Sequence, residues 1–431
     1  MSDSRLRILG VADSDSYVKW GAATLARAPK EWDASFVVLD TPFVPTAAQR
    51  AAAVDGLLRA GSRPADPAVL SLAELTELVA REQPDAVFLS LRGPMIRVVL
   101  RAVLEVSGRR PILVSGLPGI SIPATRKALT FRSQVDLILL HSKRELRDFP
   151  EVAEKLRIEQ AFGLATLPFF ATTPRADVAR DEIVFAAQAK VPRLRSERWA
   201  IVNWLAECAR AHPDSRVVIK LRAVGNEKQT HAEQYPYDSL LAELPSAPDN
   251  LVAESGSMAA HLVRAVGLVT VSSTALLEAA AIGVPGLALD DFGVSQGLIN
   301  TVFDGSSLFG SSADLVAARF RMPDPQWLDD NYFHDPSEDD WVQKIEELVA
   351  ARDVAPLPLR RLRYGQAGGR LRHVWDRKRA LGPLDHSFVG YVALAIGYPM
   401  RAVVMTARRG RGLFRGVLRS VSGVPIESPP S

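Results

Sequence analysis

Val269-Thr270-Val271-Ser272-Ser273-Thr274-Ala275-Leu276-Leu277-Glu278-Ala279-Ala280-Ala281-Ile282-Gly283-Val284-Pro285 decides how this chain folds. A β-branched run, Leu268 to Val271, ends in three hydroxyls, Ser272, Ser273 and Thr274. They open an Ala/Leu-rich helix carrying one acid, Glu278, and Gly283 stops it before a second apolar run, Gly286 to Leu289. Strand, helix and strand in succession make a parallel crossover unit. Small hydroxyl residues delivered onto a helix start build an anion site: free backbone N–H groups and the positive dipole end face the ligand. The plainer reading is that Ser272 only caps its own helix.

The same alternation runs outward in both directions. Strands are expected at Leu6 to Val11, Ser35 to Leu39, Ala86 to Ser90, Ile112 to Ser115, Leu137 to Leu140 and Ile158 to Gly163. Pro168 to Pro174 reads as a linker, after which Glu182 to Ala187, Arg216 to Leu221 and Leu251 to Ala253 begin a second series. Helical patterns separate them. The fold class is therefore α/β, with two doubly wound Rossmann-like domains facing a cleft: 1–172, 173–354 and a basic helical tail, 355–431. At 431 residues the chain is long enough for two such cores, and 47% apolar residues supply them.

One cysteine, Cys208, excludes a disulfide framework and a cysteine-rich metal site. The amino terminus leads directly into a strand, so no signal peptide and a cytoplasmic location are expected. Net charge is +3, but residues 355–431 hold 14 Lys+Arg against 3 Asp+Glu, which leaves the first 354 residues at −8. Within the tail, His386 to Met400 is uncharged and mostly apolar, too short and too broken by Gly390, Gly397 and Pro399 to span a bilayer. Arg401, Arg408, Arg409, Arg411, Arg415 and Arg419 follow it. Two readings stand: an interfacial helix on the anionic inner leaflet of the membrane, or a helix packed back on the body. Nucleic acid is disfavoured because aromatics do not interleave with the arginines.

Ligands of doubly wound sheets bind at the carboxyl ends of the strands, and four constellations sit there. Asp13 and Asp15 follow the first strand, where a general base facing the cleft would stand; both could equally be cap and turn residues. Gly116 and Gly119 lie in the loop Ser115 to Pro123 after another strand, where they would let the backbone approach a ligand closely, with Arg126 behind them. His141 follows another strand and could bind a ligand or cap a helix. Lys220 and Arg222 end a strand with two cations, and the polar loop beyond carries Glu227, Lys228 and His231. Cations there suit a phosphate or carboxylate. With Ser272, Ser273 and Thr274 they would grip a phosphate-bearing donor from two sides. No Gly-x-Gly-x-x-Gly, Gly-Lys-Ser/Thr or Gly-x-Ser-x-Gly motif occurs, and no cluster has metal-ligand spacing.

On Asp13 to Trp20, Gly116 to Ile120, Lys220 to His231 and Ser272 to Ala279, the chain resembles a bacterial family of GT-B glycosyltransferases known mainly from sequence. More distantly it is similar to sialyl-, polysialyl- and ulosonic-acid transferases. Those carry an acidic base in the first domain, and a His-Pro motif and a Ser-Ser/Thr motif in the second. Ser272 and Ser273 match the last; Lys220-Leu221-Arg222 stands where His-Pro would be. The resemblance implies an inverting glycosyltransferase with no metal or other cofactor. It would move a sugar, a CMP-linked ulosonic or sialic acid foremost, from a nucleotide donor to a cell-surface or lipid-linked glycan. Glu278 would take ribose hydroxyls, and Asp13 or Asp15 would be the base. A nucleotide-sugar 2-epimerase, a polyol-phosphate transferase and a non-catalytic membrane module are the alternatives.

Overall fold

A computed structural model describes residues 5–54, 67–168, 178–221, 234–360 and 369–400. Arg222, Glu227, Lys228 and His231, most of the linker and the arginines from Arg401 onward lie outside the described residues.

Seven parallel strands form the first sheet: β1 (Arg7–Ala12), β2 (Asp33–Leu39), β3 (Val69–Leu70), β4 (Ala86–Ser90), β5 (Ile112–Gly116), β6 (Leu137–Leu140) and β7 (Ala161–Leu164). Six form the second: β8 (Glu182–Ala186), β9 (Arg216–Lys220), β10 (Leu251–Glu254), β11 (Ala265–Thr270), β12 (Gly286–Leu289) and β13 (Phe309–Gly310). Their orders are β3-β2-β1-β4-β5-β6-β7 and β10-β9-β8-β11-β12-β13. Both are doubly wound: the chain steps outward from the middle strand, returns, and continues on the other side. Strand order reverses between β1 and β4 in one sheet and between β8 and β11 in the other. The central strands are buried on both faces, which is why they read as continuous apolar runs rather than alternating ones.

Most expected strands lie within a few residues of the observed ones. β11 starts earlier than its β-branched run, at Ala265, because Gly267 lets the strand pass under Phe320; a Cβ there would stand 2.2 Å from the ring. β3 and β13 are two-residue edge strands, too short to carry a pattern. The helix Trp341–Val354 is the larger departure. Sequence position assigns it to the second domain, but it packs on β5, β6 and β7 of the first. Trp341 and Ile345 are buried with Trp20, Trp32 and Leu137, and the Leu164 N–H donates to Asp340 Oδ1 at 2.7 Å. The helix Gly369–Leu381 also lies on the first domain, against the helix Gly93–Val106. This part of the tail is packed back on the body. Among the described residues no helix is long and apolar enough to cross a membrane.

Candidate active site

Each sheet places a polar contact across the point where its strand order reverses, the crevice in which open α/β sheets receive ligands. In the second sheet, β8 leads to Gln188 and β11 leads to Ser272, and the Ser272 hydroxyl donates to Gln188 Oε1 at 2.6 Å. Thr270 Oγ1 donates to the Ala186 carbonyl at 3.1 Å and accepts the Ser273 N–H at 3.0 Å, which fixes the turn into the helix Ala275–Ala281. Ser273 Oγ accepts the Ala275 N–H at 3.2 Å, so it caps, yet among the described residues its own O–H has no acceptor. Thr274 is exposed, and its side chain makes no cap. One turn on, Glu278 is half-buried with no partner among the described residues; burial alone holds its carboxyl above the usual range.

Lys220 ends β9, on the far side of β8 from Ser272. Two strand spacings, about 10 Å, separate the β9 and β11 backbones. Lys220 is nearly buried and its Nζ donates to the Leu221 carbonyl. The loop expected to supply the other cations lies outside the described residues.

In the first sheet, Asp13 follows β1 and Arg92 follows β4. The fully buried Asp13 carboxylate accepts the Arg92 backbone N–H at 3.0 Å and its Nε at 2.8 Å. Desolvation raises the Asp13 pKa, with Arg92 pulling the other way. Arg92 in turn lies over the Phe43 ring, 3.7 Å from its centroid. Beneath the pair, the buried Arg132 donates to Ser115 Oγ, Tyr17 Oη and the Leu91 carbonyl. Asp13 is thus consumed in closing the crevice. Asp15, in the first turn of the helix Asp15–Leu25, is half-exposed and pairs with Lys19 at 2.9 Å, while its Oδ1 has no hydrogen-bond partner.

Two expected cleft residues, Gly116 and His141, do other work. A Cβ on Gly116 would meet the Trp20 ring at 2.6 Å and the Leu139 carbonyl at 2.9 Å, so this glycine makes room for core packing, not for a ligand. His141 is buried: its Nε2 accepts Trp20 Nε1–H at 2.7 Å, and its Nδ1 lies 2.6 Å from the Ala165 carbonyl. A carbonyl can only accept, so Nδ1 carries the proton and both ring nitrogens are spent inside the protein. Desolvation, the dominant cause, lowers its pKa to about 4. The Gly116–Pro123 loop joins the domains, with Ile122 buried beside Ala275, Leu276 and Phe303 of the second core. Only Gly119, at φ +90° with open space around it, and the exposed Arg126 remain unoccupied by the fold.

Sequence reading missed the residues that fasten this joint. The buried Glu145 accepts the His141 and Ser121 N–H groups and the Tyr332 hydroxyl, the last at 2.7 Å. Lys143 reaches Asp329 and Glu338, and Arg147 pairs with Asp330 at 2.6 Å. Arg92 and Gln188 were missed as well, although each directly follows a strand. Reading every strand end for polar residues would have found both.

Comparison with solved structures shows the same fold at low identity. A UDP-N-acetylglucosamine 2-epimerase is 13% identical, with 82% of this chain and 98% of that chain covered at a TM-score of 0.54. The UDP-GlcNAc 2-epimerase from Methanocaldococcus jannaschii is 11% identical, with 80% and 100% covered at a TM-score of 0.53. No curated protein matches the chain significantly. A family model does match, across residues 8–348, which takes in both sheets and the joint between them. This chain, a two-domain α/β enzyme of the GT-B plan, belongs to the family described as "Putative glycosyltransferase (DUF6716)".

Proposed function

We propose that this glycosyltransferase holds a nucleotide-activated sugar at the β8/β11 crevice and passes the sugar to a glycan acceptor bound on the first domain. The observation that carries the reading is the row Ser272, Ser273, Thr274 and Glu278. It comprises the Ser273 and Thr274 hydroxyl hydrogens and, one turn on, a half-buried carboxylate, all without partners among the described residues, at the strand-order reversal. Hydroxyls directed at the bridging phosphate stabilise charge as it builds on the departing nucleotide. Glu278 accepts from the ribose hydroxyls, and a sugar bearing those hydrogen bonds brings the carboxyl back toward its ionised form. Lys220, Arg222, Glu227, Lys228 and His231 complete the donor side.

A CMP-linked ulosonic acid is the first donor to test, with UDP-sugars and polyol-phosphate donors next. Asp15 serves as the base that deprotonates the acceptor hydroxyl for an inverting displacement, since Asp13 is occupied by Arg92. The acceptor is a cell-surface or lipid-linked glycan, and the basic tail brings the enzyme to the anionic inner leaflet that bears it.

Melting curves recorded with CMP, UDP, GDP and CDP test the donor site. Ligand bound to the folded state alone stabilises it by about 2.7 kcal/mol at a hundredfold excess over Kd. One nucleotide should raise the melting point, and Ser273→Ala with Glu278→Gln should remove that rise, while the lost Ser273 cap lowers the unliganded stability by about 0.5–2 kcal/mol and leaves the enzyme folded. If no nucleotide shifts the curve, the reading is wrong. Formation of an epimer with no glycosidic bond would transfer the site to 2-epimerase chemistry.

A further inference from the structure

Residues 388–400 form a helix whose two sides are unlike. Its inner side is small: Gly390, Ala393 and Gly397 recur at helical spacing. A Cβ on Gly397 would stand 2.2 Å from the Trp375 ring, so this side fits the helix Gly369–Leu381 by lacking side chains. Tyr398 meets Trp375 edge-on at 5.0 Å, and Lys378 Nζ lies 3.6 Å from the centre of the Tyr391 ring. Arg377 and Ser387 bond Asp385 and each other at the turn between the helices. The pair is a built hairpin held against the first domain.

The outer side faces nothing among the described residues. Phe388 is 80% exposed, and Val392 and Ile396 follow one and two turns later with Tyr391 and Tyr398 at the margin. Not one charged residue occurs between Ser387 and Met400. A soluble surface helix places charges on its outer face; this one places a continuous apolar stripe there. Beyond it the sequence holds six arginines and a single acid, Glu427, between Arg401 and Ser431. An apolar stripe with marginal tyrosines, followed by cations, matches the acyl boundary and headgroups of an anionic bilayer.

We propose that the outer face of this helix, centred on Phe388, Val392 and Ile396, inserts shallowly into an anionic lipid surface and holds the first domain against it. Cations supply the attraction at a distance and the stripe supplies the burial. This rests on the reading of the tail as a membrane contact, and not on the identity of the donor.

The full chain should float with vesicles containing phosphatidylglycerol and should not float with pure phosphatidylcholine. The triple substitution Phe388→Ser, Val392→Ser, Ile396→Ser removes only exposed side chains, so melting point and nucleotide shift should stay at wild type. Its affinity for the anionic vesicles should fall at least about tenfold, the effect of roughly 1.4 kcal/mol of lost apolar burial. If the triple variant still binds like wild type, the arginines alone make the contact and the helix-face proposal fails. Absence of wild-type flotation on anionic vesicles would end both it and the membrane reading of the tail. A wild-type dimer on gel filtration that the substitutions split, with no flotation, would assign the stripe to a second copy instead.

Discussion

Asp13 and Asp15 stand two residues apart after one strand, and their surroundings give them different duties. Asp13 is fully buried on Arg92, so Asp13→Ala leaves a partly buried guanidinium and an uncapped N–H. A broken buried pair costs about 3–5 kcal/mol, and Arg92 is 28% exposed, so a loss near the lower bound is expected in denaturant unfolding. Asp15 has only an exposed pair with Lys19, worth about 0.3–0.5 kcal/mol. Asp15→Asn should therefore melt like wild type and, as the base, lose on the order of 10²–10⁴ in turnover. A folded Asp15→Asn enzyme with unchanged turnover would remove it from the mechanism.

His141 makes a pH argument at the same scale. Its ordinary value of 6.5 applies to the unfolded chain, whereas burial lowers the folded value to about 4. As pH falls from 6.5 to about 4 the unfolded state takes a proton the folded state refuses, so stability is present above 6.5 and lost across that interval. The ceiling is about 3 kcal/mol. His141→Asn should be less stable than wild type at neutral pH, but its unfolding free energy should fall less between about pH 6.5 and about pH 4.

Among the elements, legibility followed burial. β4, β6 and β12 lie where their apolar runs stand, because strands buried on both faces need nothing but apolar residues. Edge strands of two residues have no such signature, and Trp341–Val354 carries only a weak apolar stripe, so its sequence says nothing about which sheet it covers. The geometry of the candidate donor site was legible where it is local. Ser272 to Glu278 could be read because strand, hydroxyls and helix are contiguous. Gly116 and His141 misled because a glycine after a strand looks alike whether it admits a ligand or Trp20, and a histidine there does not disclose a tryptophan 121 positions earlier. Arg92 closing on Asp13 and Tyr332 closing on Glu145 are contacts between distant segments, which a single sequence does not pair.

At the scale of the molecule, the chain crosses between domains more than once. It leaves the first after β7, builds the second, and returns with the helix Trp341–Val354 to cover the open side of β5–β7. The first core is therefore incomplete until the last third of the chain is made. Trp341 is the pin: 4% exposed, it lies edge-on to Trp32 at 6.1 Å, while Trp32 Nε1 donates to Glu346 on the same helix. Trp341→Ala opens a cavity on the first domain and should cost about 3–5 kcal/mol. The consequence to measure is where that loss is felt. Amide exchange should accelerate through β5, β6 and β7, which lie roughly 180 to 230 residues earlier in the chain. β8 to β12, nearer in sequence, should keep their protection, and so should the nucleotide-induced rise in melting point. Faster exchange confined to the second sheet would mean that the helix stabilises the domain its sequence position suggests.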